Sequence, residues 1–92
     1  MTSTHPYSPD HATPPGWTLE ETLTELSMSQ AELARRTGLS TEHIDRIIRG
    51  KAPIAGDTAR RLERATGLPE RLWNNLESHY QEHQARLAEA HP

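Results

Sequence analysis

Residues Gln30–Gly50 read QAELARRTGLSTEHIDRIIRG, two short helical patterns joined at a glycine. Ala34 lies four residues before Gly38, and Ile44 and Ile47 follow it at six and nine. Where two helices cross, only a small side chain lets the backbones approach, which explains Ala34. Gly38 takes the left-handed conformation that ends the first of the pair at little steric cost. The isoleucines then pin the second helix to the core and leave its other face free. This spacing predicts a helix-turn-helix, whose second helix enters the major groove of DNA.

The rest of the chain supplies three more helices. The first is expected to start near Thr18, which has the capping-box spacing to Glu21, with Leu19, Leu23 and Leu26 as its buried stripe. Ser29 and Glu32 repeat the device for the second helix, which buries Leu33 and Ala34 and stops at Thr37-Gly38-Leu39. Ser40 or Thr41 caps the third, which runs to Arg49 and ends at Gly50; Pro53 bars its continuation. The fourth covers roughly 57–65 and ends in a second Thr-Gly-Leu, residues 66–68, which we read as a reused helix stop and not a repeat. Pro69 opens the fifth helix, with a stripe of Leu72, Trp73, Leu76, Tyr80 and Leu87. The fold class is all-α, five helices with the helix-turn-helix at helices 2 and 3.

Size and composition fit this reading. Ninety-two residues make one small domain, without the bulk for a deep catalytic cleft. Phe is absent, and Tyr7, Trp17, Trp73 and Tyr80 are the only aromatics, so Leu, Ile and Ala must build the core. With no cysteine there is no disulfide or thiolate metal site, which suits a reduced, cytoplasmic setting. No apolar run approaches the roughly 20 residues of a membrane span, and no signal-peptide pattern opens the chain. Residues 1–16, with four prolines among Ser, Thr and His, are expected to be a disordered tail in which His5 and His11 are exposed and inert. Residues 17–80 form the domain, and residues 81–92 extend the fifth helix into a fraying end.

The net charge of −3 is unevenly divided. Residues 1–28 hold four acids and no Lys or Arg, 29–64 hold eight bases and five acids, and 65–92 hold two bases and four acids. The positive segment coincides with the motif, as a modest phosphate-binding footprint requires.

On the third helix, burial of Ile44, Ile47 and Ile48 leaves Thr41, Glu42, Asp45, Arg46 and Arg49 outward. Arg46 has the reach for guanine O6 and N7, Glu42 for a cytosine amino group, and Thr41 for a base edge or a thymine methyl group. Gln30, Ser40, Arg49 and Lys51 are placed for phosphates. His43 is open between phosphate contact, base contact and partial burial. Glu42 and Asp45 repel phosphate unless they meet a base or an arginine.

Catalysis is not expected. His79-Tyr80-Gln81-Glu82-His83 matches the inverted zinc-peptidase pattern, but a third ligand and a walled cavity are missing from so short a chain. Neither a metal nor a cofactor is expected. Trp73, Leu76, Tyr80 and Leu87 are read either as core or as a dimer seam. Two-fold pairing would set two recognition helices about 34 Å apart, one turn of duplex.

Ser29–Arg36, Gly38-Leu39-Ser40 and Arg46–Lys51 resemble the lambda-repressor-like (Xre) helix-turn-helix family. Leu62, Gly67-Leu68, Leu72–Leu76 and Tyr80 narrow the resemblance to its HigA branch, the antitoxins of type II toxin–antitoxin modules. The resemblance spans about residues 16–87. It implies a homodimer that represses its own operon through a palindromic operator in double-stranded DNA. It also implies a protein partner, a HigB-type, RelE-like mRNA-cleaving toxin. By position, the family's base-reading residues fall on Thr41, Glu42 and Arg46, and its phosphate contact at the start of helix 2 on Gln30. The stretch His43–Ile54 also resembles the variant that accompanies ImmA/IrrE-type metallopeptidases, so the partner stays open between a nuclease and a peptidase. The competing class is a protein-interaction module on a helix-turn-helix frame that no longer reads DNA.

Overall fold

The computed structural model describes residues 13–90. Five helices follow in order: α1 (Pro15–Leu26), α2 (Gln30–Thr37), α3 (Thr41–Ile48), α4 (Gly56–Thr66) and α5 (Glu70–Ala90). No strand occurs among the described residues. The expected all-α, five-helix class is the class observed.

Helix α1 begins earlier than the Thr18 cap requires. Pro14 is the cap residue and Pro15 the first helical position, so the fixed φ of proline organises this start and Thr18 lies inside the helix. The capping box with Glu21 does not form; the Thr18 carbonyl instead accepts from the Thr22 hydroxyl at 2.8 Å. Pro15 and Gly16, expected in the tail, are therefore buried helical residues. Gly16 marks the closest approach of α1 to α3: a Cβ there would lie 1.9 Å from the Ile47 carbonyl oxygen. Residues 1–12 of the expected tail, His5 and His11 among them, lie outside the described residues.

Leu26 also departs from expectation, being 46% exposed. Ser27 turns left-handed after it and the Met28 N–H returns to the Leu23 carbonyl at 2.9 Å, so Met28 packs on the core in its place.

The core draws on every helix: Leu19 and Leu23 from α1, Leu33 and Ala34 from α2, the three isoleucines of α3, Ala59, Leu62 and Ala65 from α4, and Trp73 from α5. Ile54 adds to it from the α3–α4 loop. Helix α4 packs against α2 and α5, while α1 lies across α3. No described helix is long and apolar enough to cross a membrane.

Candidate nucleic-acid interface

Helix α3 is held in place by short-range chemistry at both of its ends. On its amino-terminal side, Ser29 caps α2 by accepting the Glu32 N–H at 3.0 Å. Gly38, at φ 77°, closes α2 with its N–H on the Ala34 carbonyl. The Thr37 hydroxyl donates to the Leu33 carbonyl at 2.8 Å and accepts the Leu39 N–H at 3.2 Å, which fixes the turn. Ser40 then caps α3, its oxygen accepting the His43 N–H at 3.0 Å. Such a cap contributes about 1 kcal/mol. The hydroxyl hydrogen of Ser40 stays available to a phosphate, since the oxygen acts only as acceptor in the cap. At the carboxyl end, the Arg46 carbonyl receives the N–H groups of Lys51 at 2.8 Å and Ala52 at 3.2 Å, folding the loop back on the helix.

Burial of Ile44, Ile47 and Ile48 decides which side chains face outward. Thr41, Glu42 and Arg46 are exposed together, as are Ser40, Arg49 and Lys51; Gln30 and His43 are half-buried. Neither Glu42 nor Arg46 has a side-chain partner among the described residues. Asp45 does have one: its carboxylate meets Arg49 Nε at 2.9 Å. That pair removes one repulsion from the face, and it also occupies part of the guanidinium expected to grip phosphate.

The bases are shared among three helices and a loop. Arg46, Arg49 and Lys51 belong to α3 and its loop, whereas Arg35, Arg36, Arg60, Arg61 and Arg64 sit on α2 and α4. Four of those five line a cleft with Thr37 and Asp57. Arg61 is its organiser, donating through Nη1 to the Thr37 carbonyl at 2.6 Å and through Nε to Asp57 at 2.8 Å. Hydrogen bonds from Arg61 and then Arg60 hold the Asp57 carboxyl below its ordinary pKa. Arg61 thus braces the end of α2 immediately before the turn. Sequence reasoning missed this role, although the Asp57-to-Arg61 spacing of one helical turn was a visible signal.

The expected dimer-seam residues divide. Trp73 is wholly buried in the protomer and belongs to the core, so it is no seam residue. The indole fills the space between α5 and the other helices; its Nε1 has no acceptor among the described residues. Leu76, Tyr80 and Leu87 are half-buried, with Leu76 against the core. His79 and His83 stand on α5, and no group of three metal-ligating side chains occurs among the described residues.

Known proteins align with these features. The helix-turn-helix family model HTH_3 matches residues 19–73, which takes in both helices of the motif and the core around them. The chain belongs to this helix-turn-helix family. A curated relative, the HTH-type transcriptional regulator YddM of Escherichia coli K12, is 32% identical over 64 residues, 70% of this chain and 68% of its own. Among solved structures, the HigA-family addiction module antidote protein of Coxiella burnetii is 33% identical with a TM-score of 0.77, covering 82% of this chain and 83% of that one. The Pseudomonas aeruginosa antitoxin HigA, solved with the higBA promoter, is 33% identical with a TM-score of 0.80 over 87% and 88% of the two chains. The helix-turn-helix frame and its HigA-type architecture are therefore common to this chain and to these antitoxins.

Proposed function

We propose that the protein is a sequence-specific DNA-binding repressor of the HigA type, acting as a homodimer on a palindromic operator. In this reading it is the antitoxin of a type II module, restrains a HigB/RelE-like mRNA-cleaving toxin in the cytoplasm, and represses the operon that encodes both. The observation that carries it is the outward face of α3, where Thr41, Glu42 and Arg46 stand exposed on a helix anchored by three buried isoleucines. The relationship to an antitoxin solved with its promoter DNA supports the same partner.

Each exposed group has a role in this reading. Arg46 reads guanine with two hydrogen bonds, Glu42 accepts from a cytosine amino group, and Thr41 meets a neighbouring edge. Gln30, Ser40, His43, Arg49 and Lys51 hold phosphates and set the register. Leu76, Tyr80 and Leu87 supply the seam. A dimer is needed because one domain of this size buries too little surface on DNA to bind an operator tightly.

Fluorescence anisotropy with the DNA upstream of the gene, against a scrambled duplex at two salt concentrations, tests the reading. Tight, sequence-dependent, salt-sensitive binding is expected. Arg46→Ala should cost about 1–3 kcal/mol at the operator and relax specificity at one base pair. Equal affinity for both duplexes would sink the repressor and favour a protein-interaction module on the same frame.

A further inference from the structure

Residues 49–55 connect α3 to α4 and carry Lys51 on their exposed side. The loop is tied at two points. At its start, Lys51 and Ala52 donate backbone N–H groups to the Arg46 carbonyl, and Gly50 donates to the Ile47 carbonyl at 3.0 Å. At its far end, the Ile54 N–H donates to Glu77 Oε1 at 2.9 Å, a bond between residues 23 apart in the chain. Glu77 belongs to α5 and is itself steered by Gln81 on the next turn, whose Nε2 donates to the other carboxylate oxygen at 2.6 Å. Tyr80, also on α5, brings its hydroxyl near Gly50. Between these ties lies a groove of about 250 Å³ whose lining includes Gly50, Lys51, Pro53, Glu77, Tyr80 and Gln84.

A carboxylate in this place is costly for a phosphate-binding surface, because it repels the ligand that Lys51 attracts. A hydrogen bond to a charged acceptor is in turn stronger than one to a neutral acceptor, and this one closes the loop onto the helix behind it. The two effects act in opposite directions on DNA affinity, so they can be separated.

We propose that Glu77 is a positioning residue for DNA binding: by accepting the Ile54 N–H it holds the α3–α4 loop so that Lys51 faces the phosphate backbone. Helix α5 thereby sets the geometry of a phosphate contact that it does not itself touch. The inference rests on the DNA-binding reading and on the assignment of Lys51 to phosphate.

The test is a double-mutant cycle on the full chain, read by anisotropy with the upstream and scrambled duplexes over a salt series. Lys51→Ala should weaken both duplexes several-fold and lower the slope of log affinity against log salt by about 1. Glu77→Ala should produce a uniform loss and a change of slope in the same direction, both smaller than those of Lys51→Ala because the repulsion is removed along with the tie. The double variant should bind no more weakly than Lys51→Ala alone, since Glu77 acts through Lys51. Glu77→Gln keeps an acceptor oxygen and removes the repulsion, so its affinity should equal or exceed that of the unaltered protein. A role confined to general stability moves the melting temperature and leaves the two losses additive; a purely electrostatic role makes Ala and Gln alike raise affinity. Either pattern overturns the proposal, as does a Glu77→Gln variant that binds as weakly as Glu77→Ala. If Lys51→Ala weakens binding and Glu77→Ala does not, the inference alone fails. If Lys51→Ala changes nothing, the phosphate assignment fails and the inference with it, while the base-reading role of Arg46 stands on its own test.

Discussion

Two Thr-Gly-Leu stops end α2 and α4, and their local structures are nearly superimposable in chemistry. Thr37 donates to the Leu33 carbonyl at 2.8 Å and Thr66 to the Leu62 carbonyl at 2.7 Å. Leu39 and Leu68 each return an N–H to the threonine hydroxyl at 3.2 Å. Gly38 and Gly67 are both left-handed, at φ 77° and 83°. The surroundings of the two stops differ. The first stop is buried at Thr37, braced by Arg61, and leads through a serine cap into a short helix with an exposed polar face. The second is half-exposed at Thr66, has no such brace among the described residues, and leads into a 21-residue helix anchored by one buried tryptophan. One three-residue sequence thus makes one local structure, and its tertiary setting decides whether that structure is braced ahead of a short helix with an exposed polar face or only ends a helix.

The largest effect expected from breaking this comparison lies beyond the second stop. Trp73→Ala should destabilise the fold by roughly 3–5 kcal/mol in chemical denaturation, because it empties the site that holds α5 on the core. Trp73→Phe should cost much less, since it removes the unpaired Nε1–H along with part of the volume. A similar loss for both variants would mean that indole shape, and not bulk apolar filling, anchors the helix.

The two threonines come next. Thr37→Val keeps the shape and removes a hydroxyl that is itself buried and bonded to the Leu33 carbonyl and the Leu39 N–H, at a cost of about 1–3 kcal/mol. Thr66→Val removes the corresponding hydroxyl at a half-exposed threonine, and its cost should fall below about 1 kcal/mol. Thermal melts of the two variants measure the difference; equal losses would show that burial does not separate the stops.

The glycines sharpen the comparison most finely. Gly38→Ala and Gly67→Ala should each cost about 1–2 kcal/mol for the left-handed backbone. Their consequences for DNA should diverge. A Cβ on Gly38 would sit 3.0 Å from the Arg61 guanidinium and disturb the brace in front of α3, while one on Gly67 meets nothing within 4 Å. Operator affinity should therefore drop for Gly38→Ala and hold for Gly67→Ala when both are measured well below their melting temperatures.

The legible part of the molecule was the part governed by near neighbours. Ser29, Ser40, Gly38 and the isoleucine stripe each act within one or two helical turns, and each does in the structure what its spacing implied. Legibility failed where distant segments meet. Pro15 and Gly16 looked like the end of a proline-rich tail until the approach to the Ile47 carbonyl gave the missing side chain a reason. Leu26 kept the helical period and still faced outward, because the chain turns at Ser27 and Met28 takes the inward place.

The sequence by itself determined that this chain is five helices with a helix-turn-helix at the second and third. Caps, glycine stops and apolar period are encoded within a few residues of where they act, so they can be read locally. It also determined which side chains of α3 are turned away from the core, because three isoleucines leave the helix one burial choice. The tertiary structure alone decided that Arg36 of α2 and Arg60, Arg61 and Arg64 of α4 line one cleft. It alone decided that Trp73 is core, that Arg61 braces the turn and that Glu77 closes the loop under Lys51. Each of these depends on residues more than 20 positions apart being brought within hydrogen-bond or packing distance. A linear chain carries no record of such distances until its core has closed.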